Sequence, residues 1–321
     1  MAIAPSHFDQ GLADALARVE AELALVGRDA GPLLHDAIRH HLRTGGKRVR
    51  PRMALLAGRL IQGTVSEGLV QLSAVAELVH AASLVHDDTL DEASTRRGVP
   101  TVASRWGGHV AVLVGDYLFA QAAIITAELG SVRLMSLLAG TIQALVQGEL
   151  RQMSAAYRID ASAANYEERI GAKSASLFVL AAEGGAIYAG AGEQEAEALR
   201  SYAYNLGLAF QIADDVLDYT ASDEDLGKPA GSDLANGVVT LPALNYLQAL
   251  PLDAPERRLV EDGGDTTPLV AAIRASDAPA RALVRARQLA RQAVSALDLF
   301  PPSPDRQALI DLAEAAVARR G

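Results

Sequence analysis

Residues 66–91 read SEGLVQLSAVAELVHAASLVHDDTLD. Ser66 is a helix-capping residue type, and the stretch reads as one long helix through Asp91, apolar until it meets an acidic end. Helical periodicity continues on both sides. Upstream, Leu12, Leu16, Val19, Leu23 and Val26 recur at threes and fours between Ser6 and Val26, which marks one apolar helix face. Gly31-Pro32 punctuates, and a second helix is expected over Leu33–Leu42. The stretch Arg43–Arg52, with its Gly pair and Pro51, reads as a loop. Downstream, helices are expected at about 109–129, 131–156, 165–190 and 195–219. A loop rich in Asp, Gly and Pro runs between Tyr219 and Val239. The last third, at about 241–250, 256–262, 268–276, 278–298 and 304–319, is again helical. No run of alternating strands, internal repeat or Gly/Ser linker divides the chain. The expectation is a single all-α domain over 1–321.

Composition agrees. The 321 residues are 50% hydrophobic but only 4% aromatic, so the core is built from Ala, Leu, Val and Ile, which suits close-packed helices better than a β-sandwich. No cysteine is present, which excludes disulfides, thiolate nucleophiles and Cys-ligated metals. The formal net charge of −10 argues against a protein that coats nucleic acid, while leaving room for a small phosphorylated ligand where positive charge gathers. The N-terminus lacks the charged and apolar regions of a secretory signal. The most apolar stretch, Val110–Ala127, carries Asp116 and Gln121, and a carboxylate at bilayer depth is costly. A buried helix in a soluble, cytoplasmic protein with no transmembrane segment is the expectation.

Two segments share one pattern, Asp87-Asp88-Thr-Leu-Asp91 and Asp214-Asp215-Val-Leu-Asp218. In each, the first and last Asp are four residues apart and share a helix face, where like charges repel. Neither segment has Lys or Arg at that offset, and the flanks are apolar. A hard divalent cation resolves the conflict, because carboxylate oxygens suit Mg²⁺, which is commonly held by one or two carboxylates plus substrate phosphates. One such segment alone also fits an acidic helix end. Two can grip one polyphosphate through shared metals.

Positive charge is concentrated to match. Arg43, Lys47, Arg48, Arg50 and Arg52 fall within ten residues that contain no acid, beside Gly45-Gly46, and Arg96-Arg97 follow the first acidic segment. Guanidinium fits phosphate oxygens bidentately and Lys acts as a point charge, although a solvated basic loop is the plainer reading of the first cluster. His80 lies two turns before Asp87 on the same face, and Gln211 lies three residues before Asp214. Each also fits a satisfied core residue. Lys173, within Gly-Ala-Lys-Ser-Ala, reads from sequence as an exposed lysine.

GGKRVRP, LVHDDTLDEASTRRGVPT, FQIADDVLD and LGKPAGSD, in that order and spacing over about residues 30–250, resemble the motifs of the trans-isoprenyl diphosphate synthase (polyprenyl synthetase) family. The resemblance implies an isoprenoid synthase fold, an all-helical barrel around a deep central cavity, in a homodimer. It also implies Mg²⁺-dependent head-to-tail condensation of isopentenyl diphosphate with an allylic diphosphate. By similarity, Asp87, Asp91 and Asp214 hold three Mg²⁺ ions on the allylic diphosphate, with Asp88, Asp215 and Asp218 supporting them. Lys47, Arg50, His80 and Arg97 match positions that bind isopentenyl diphosphate. Arg96, Lys173, Ser174, Gln211 and Lys228 match positions around the allylic diphosphate and its metals, with Lys173 and Gln211 counted among the catalytic residues. Many members have Thr where Ser174 stands, and Lys where Val238 stands in Asn236-Gly-Val-Val-Thr-Leu-Pro242. The first change keeps the hydroxyl; the second removes one diphosphate contact.

Product length in such enzymes is limited by bulky residues below the first acidic segment. Here those positions are Ala82 and Ser83, with Val79, Leu78 and Val75 below them. From Ser66 to Asp87 a helix runs about 32 Å at 1.5 Å per residue, a wall for about six isoprene units. The expectation is a long-chain product, C30 to C50; a C20 geranylgeranyl synthase follows if another helix or the dimer partner supplies the stopper. A class I terpene cyclase is the nearest enzymatic rival. It is disfavoured because Asp214–Asp218 lacks the Asn/Asp–Ser/Thr–Glu pattern and because the Lys47/Arg50 loop offers a second diphosphate site. A di-metal carboxylate bundle needs two Glu-x-x-His pairs, and only Glu77–His80 is found. A non-catalytic partner subunit commonly loses the aspartates, which are intact here.

Overall fold

A computed structural model describes residues 7–43, 46–159, 162–221 and 230–318. In chain order its helices are α1 (His7–Leu25), α2 (Pro32–Leu42), α3 (Val49–Gln62) and α4 (Glu67–Leu90). A two-stranded hairpin follows, β1 (Thr95–Arg96) and β2 (Val99–Pro100), then α5 (Val102–Trp106), α6 (Gly108–Glu128) and α7 (Val132–Ser154). Next come α8 (Ala163–Ile170), a π-helical turn (Gly171–Ala175), α9 (Ser176–Tyr188) and α10 (Glu193–Thr220). The remainder comprises α11 (Ser232–Ala235), α12 (Leu241–Leu247), α13 (Pro255–Glu261), α14 (Thr267–Ala275), α15 (Ala278–Ala296) and α16 (Pro304–Val317).

The long helix forms where its cap predicts. The Ser66 hydroxyl accepts the Leu69 N–H, and α4 then runs 24 residues. It ends in a Schellman motif: Ala93 N–H bonds the Asp88 carbonyl at 2.9 Å and Glu92 N–H the Thr89 carbonyl at 3.4 Å. Glu92 takes the left-handed conformation (φ 50°) that this stop requires. Two sequence readings are corrected. The loop over Arg43–Arg52 is shorter, because α3 begins at Val49 and carries Pro51 in its first turn, where a missing N–H costs nothing. A strand pair also exists, too short for alternation to register.

The chain folds as two compact units. The first comprises Met1–Ile142, Leu177–Arg200 and Leu299–Leu309; the second comprises Gln143–Ser176, Ser201–Asp298 and Ile310–Gly321. In the first, α4 packs chiefly on α6, α3 and α1. Met53, Leu55, Leu56, Leu69 and Val75 are fully buried there, and burying such a side chain is worth about 1.5–3 kcal/mol. In the second, Tyr166, Ile212, Tyr219, Leu244, Ile273 and Leu289 share one core.

Among the described residues, three helical runs, Glu67–Leu90, Gly108–Glu128 and Ala163–Tyr188, are long and apolar enough to cross a membrane. The first and third bury 72% of their apolar window inside the protein, but α6 buries only 33%. Val112, Leu113 and Ile124 stand out from it at 44%, 62% and 52% exposure.

Candidate active site

The basic loop and the hairpin come together in the first unit. Arg97 and Gly98 form the two-residue turn between β1 and β2, both at positive φ (52° and 74°), as a type I′ hairpin turn requires. Gly takes that geometry freely; Arg97 does so at a cost of about 1–2 kcal/mol, the kind of strain that collects at functional positions. Its guanidinium lies against Gly46, where an added Cβ would sit 3.3 Å from Nη1. Lys47 is exposed beside it.

Arg48 anchors this loop. Also left-handed (φ 46°), it donates to Glu20 at 2.5 Å, to the buried Glu77 at 2.5 Å and to the Leu42 carbonyl at 3.2 Å. Sequence reading placed Arg48 among diphosphate-facing cations and gave no sign of this clamp. Glu77, the acid of the lone Glu-x-x-His pair, is engaged by it.

Two turns of helix bring further cations inward. Arg50, in the first turn of α3, stacks its guanidinium 4.8 Å from the Phe178 ring centroid, and its buried Nε has no hydrogen-bond partner. Burial, opposed by Glu77 and reinforced by Arg97, brings its pKa down to about 10. The buried Nδ1 of His80 also lacks a partner. Burial, with the charges of Arg50, Arg96, Arg97 and His41, holds this imidazole well below its usual range. His41, which sequence reasoning missed, donates from Nε2 to the Ala81 carbonyl at 3.0 Å and is pushed down to about 4 mainly by burial. The result is a set of fixed cations and neutral imidazoles with unused donors, which favours an anion.

The first acidic segment closes α4. Asp87 is partly exposed and Asp91, the C-cap, is exposed, whereas Asp88 is 3% exposed. Both Nε and Nη2 of Arg96 reach one Asp88 oxygen at 2.8 Å. Arg96, expected at the allylic diphosphate, thus fastens the hairpin to α4. Further down α4, Ala82 is fully buried and the Ser83 hydroxyl donates back to the His80 carbonyl at 2.8 Å.

The second unit holds the other set. Asp214 is exposed on α10, while Asp215 and Asp218 are 4% and 2% exposed. Asp215 accepts from the Tyr166 hydroxyl at 2.5 Å and from Gln211 Nε2 at 2.8 Å. Burial and the Asp233 charge push its pKa up to about 8 against those bonds. Asp218 accepts from Ser232 Oγ at 3.2 Å and from the Asp233 N–H at 3.3 Å, holding the start of α11. Ser174 and Lys173 lie in the π-helical turn, a feature that recurs at functional positions. Ser174 Oγ donates to Gln211 Oε1 at 2.6 Å, so hydroxyl, amide and Asp215 form one chain. Lys173 is partly buried and paired with Glu149, where sequence suggested simple exposure. Gly148 of α7 lets the helices approach here: a Cβ would lie 2.8 Å from the Lys173 backbone nitrogen. Val238 is partly buried, its N–H on the Asp233 carbonyl at 2.9 Å. Lys228 falls outside the described residues. Tyr166 and Glu149 had no sequence signal, since neither lies near a motif.

The polyprenyl synthetase family model matches residues 31–272. The chain belongs to the polyprenyl synthetase family. It is 40% identical over 309 residues to heptaprenyl diphosphate synthase component 2 of Geobacillus stearothermophilus, covering 94% of this chain and 95% of that one. It is similar to the crystal structure of a decaprenyl diphosphate synthase from Rhodobacter capsulatus, with TM-score 0.90 and 34% identity over 96% of this chain and 97% of the other. A polyprenyl synthase from Caulobacter crescentus, complexed with calcium and isoprenyl diphosphate, matches with TM-score 0.84 and 37% identity over 97% and 98%. The polyprenyl synthetase chain is thus a prenyltransferase with the all-α isoprenoid synthase fold, similar to long-chain members.

Asp87 and Asp91 in the first unit and Asp214 in the second each present hard carboxylate oxygens to solvent, a donor type that suits Mg²⁺ or Ca²⁺. Among the described residues no three His, Asp or Glu side chains form a ready metal cage.

Proposed function

We propose that this chain condenses isopentenyl diphosphate with an allylic diphosphate, repeatedly, to a C30–C50 trans-polyprenyl diphosphate by ionisation, condensation and elimination. The observation that carries the reading is the group Arg50, His80 and Arg97. A buried guanidinium and a buried neutral imidazole keep unpartnered nitrogens beside a strained arginine turn, which suits the diphosphate of the nucleophilic substrate. Lys47 adds a mobile point charge to it.

Asp87 and Asp91 of the first unit and Asp214 of the second would hold Mg²⁺ for the allylic diphosphate, with Asp88, Asp215 and Asp218 fixing the backbone that presents them. Bound Mg²⁺ supplies Lewis-acid neutralisation of the charge that grows on the departing diphosphate. Lys173, Ser174 and Gln211 orient that leaving group. The allylic C–O bond breaks, the isopentenyl double bond attacks the cation, and the released diphosphate takes the proton lost from the new chain. No Ser–His or paired acid–base device is required. The apolar wall below Asp87 excludes water from the cation.

Length follows from Ala82 and Ser83, small residues on an α4 wall with no Phe, Tyr or Trp between Ser66 and Asp87. The exposed face of α6, with Val112, Leu113 and Ile124, docks a second copy of the chain. The purified chain alone, with Mg²⁺, labelled isopentenyl diphosphate and a panel of allylic primers, is expected to give an extractable linear product of six to ten units. Ala82→Phe is expected to shorten it. No product from any primer, or a cyclic hydrocarbon, overturns the reaction; an unchanged length distribution in Ala82→Phe overturns only the ruler. Leu113→Glu/Ile124→Glu is expected to elute as a monomer in light scattering, and an unchanged mass removes α6 as the contact.

A further inference from the structure

α2 and its C-cap carry a stripe to which the proposed prenyl-transfer reaction assigns no role. Asp36, Arg39, His40 and Arg43 recur at offsets of three, four and seven and so share one helix face. With Val99 of β2 and Arg105 and Trp106 of α5, they line a cavity of 510 Å³, within the size range of small-ligand pockets.

The wall of this cavity is held in place by its own contacts. His40 donates from Nε2 to the Pro100 carbonyl at 2.7 Å and accepts at Nδ1 from Arg105 Nη1 at 3.3 Å. Its ring meets Trp106 edge-on with centroids 5.1 Å apart. The Arg105 guanidinium lies 4.6 Å from the Trp106 centroid. His40 therefore serves as a strut that aims Arg105. Arg39 and Arg43 are exposed at the rim, and neither has an ion-pair partner among the described residues. Three guanidiniums thus meet one lining carboxylate, Asp36.

Such a set suits phosphate oxygens: guanidinium binds them bidentately, and a concave wall concentrates the positive potential. The adjacent histidine, His41, points instead to the Ala81 carbonyl and belongs with Arg96 and Arg97. Neighbouring side chains on one helix therefore divide two cationic groups. We propose that the Arg39–Arg43–Arg105 cavity is a second anion site, for a ligand bearing a phosphate or diphosphate group. Val99 pairs with Arg96 across the hairpin, so an occupant would bear on the strand pair that holds Asp88 and presents Arg97. The proposal stands on this cavity alone and does not depend on the assignment of prenyl transfer.

Calorimetric titration with inorganic diphosphate, divalent metals chelated, tests it. The wild-type chain is expected to bind diphosphate at this cavity, and Arg39→Gln/Arg105→Gln to lose about tenfold or more in affinity there. Prenyl transfer at saturating substrate should stay within about twofold, since the charge-assisted contacts removed lie outside that machinery. Arg39→Glu, a change at an exposed rim position, gives the same readout if the double variant folds poorly. Co-sedimentation with phosphatidylglycerol and phosphatidylcholine vesicles identifies the source. Loss of phosphatidylglycerol binding in the variants points to a lipid headgroup; loss of diphosphate binding alone points to a soluble ligand. No binding of either probe by the wild-type chain, or unchanged binding of both probes in the variants, overturns the proposal.

Discussion

The two acidic segments, 87–91 and 214–218, are nearly the same in sequence and are built differently. In both, the first Asp reaches solvent and the second is buried. Asp88 is held by a charge, the Arg96 guanidinium, whereas Asp215 is held by two neutral donors, Tyr166 and Gln211. The last positions also part company. Asp91 is exposed because α4 stops there in a Schellman turn; Asp218 is buried because α11 returns to place the Ser232 hydroxyl and the Asp233 N–H on it. A repeated motif therefore specifies one outward carboxylate in each copy and leaves the remaining positions to the local surroundings.

The largest effect should come from the positions the two segments share. Asp87→Asn and Asp214→Asn are each expected to lower turnover about a hundred- to a thousandfold, read from incorporation of labelled isopentenyl diphosphate. A much smaller loss in one variant would mean that the two outward carboxylates are not equivalent.

Acid should separate the surroundings of the first segment next. His41 has a folded pKa of about 4 against 6.5 when unfolded, so between those values the unfolded chain binds more protons. Its contribution is fully present above pH 6.5 and is lost as the pH falls toward 4, about 3 kcal/mol for that shift. His80 moves in the same direction, and Arg50, Arg96, Arg97 and His40 are the charged or titratable groups that surround the pair. Urea denaturation from pH 7 to pH 4 checks this, and His41→Gln should flatten the dependence.

The anchors come last. Asp88→Asn leaves Arg96 without its counter-charge and is expected to cost about 2 kcal/mol, while Asp215→Asn, which keeps one neutral hydrogen bond, should cost about 1 kcal/mol. Equal losses by denaturation would show that the charge of Arg96 is immaterial to the anchoring of Asp88.

Much of this was legible beforehand. The Ser66 cap, the stop near Asp91 and the helices of the last third follow from capping residues and threes-and-fours periodicity, which report local free energies. α3 was missed because Gly45-Gly46 and Pro51 look like loop punctuation, although proline is at home in a first helical turn. The hairpin at 95–100 is only two residues per strand, below what alternation can signal. The π-helical turn at Lys173 has no periodic signature at all. Around the candidate site, residue types and spacing pointed to diphosphate and a hard cation. They could not distinguish Arg48, spent on Glu20 and Glu77, from Arg50, whose Nε is unpartnered.

By itself, then, the sequence determined an all-helical chain, two acidic helix segments and two basic ones, because helix period, capping and charge spacing are properties of neighbours a few residues apart. Only the tertiary structure decided which aspartate is an anchor, which arginine is a clamp and which histidine is a strut. Those roles depend on desolvation and on partners as far as 65 positions away, as for Asp88 with Arg96 and His40 with Arg105. Burial raises the cost of an unpaired charge, and no local pattern records where burial will fall.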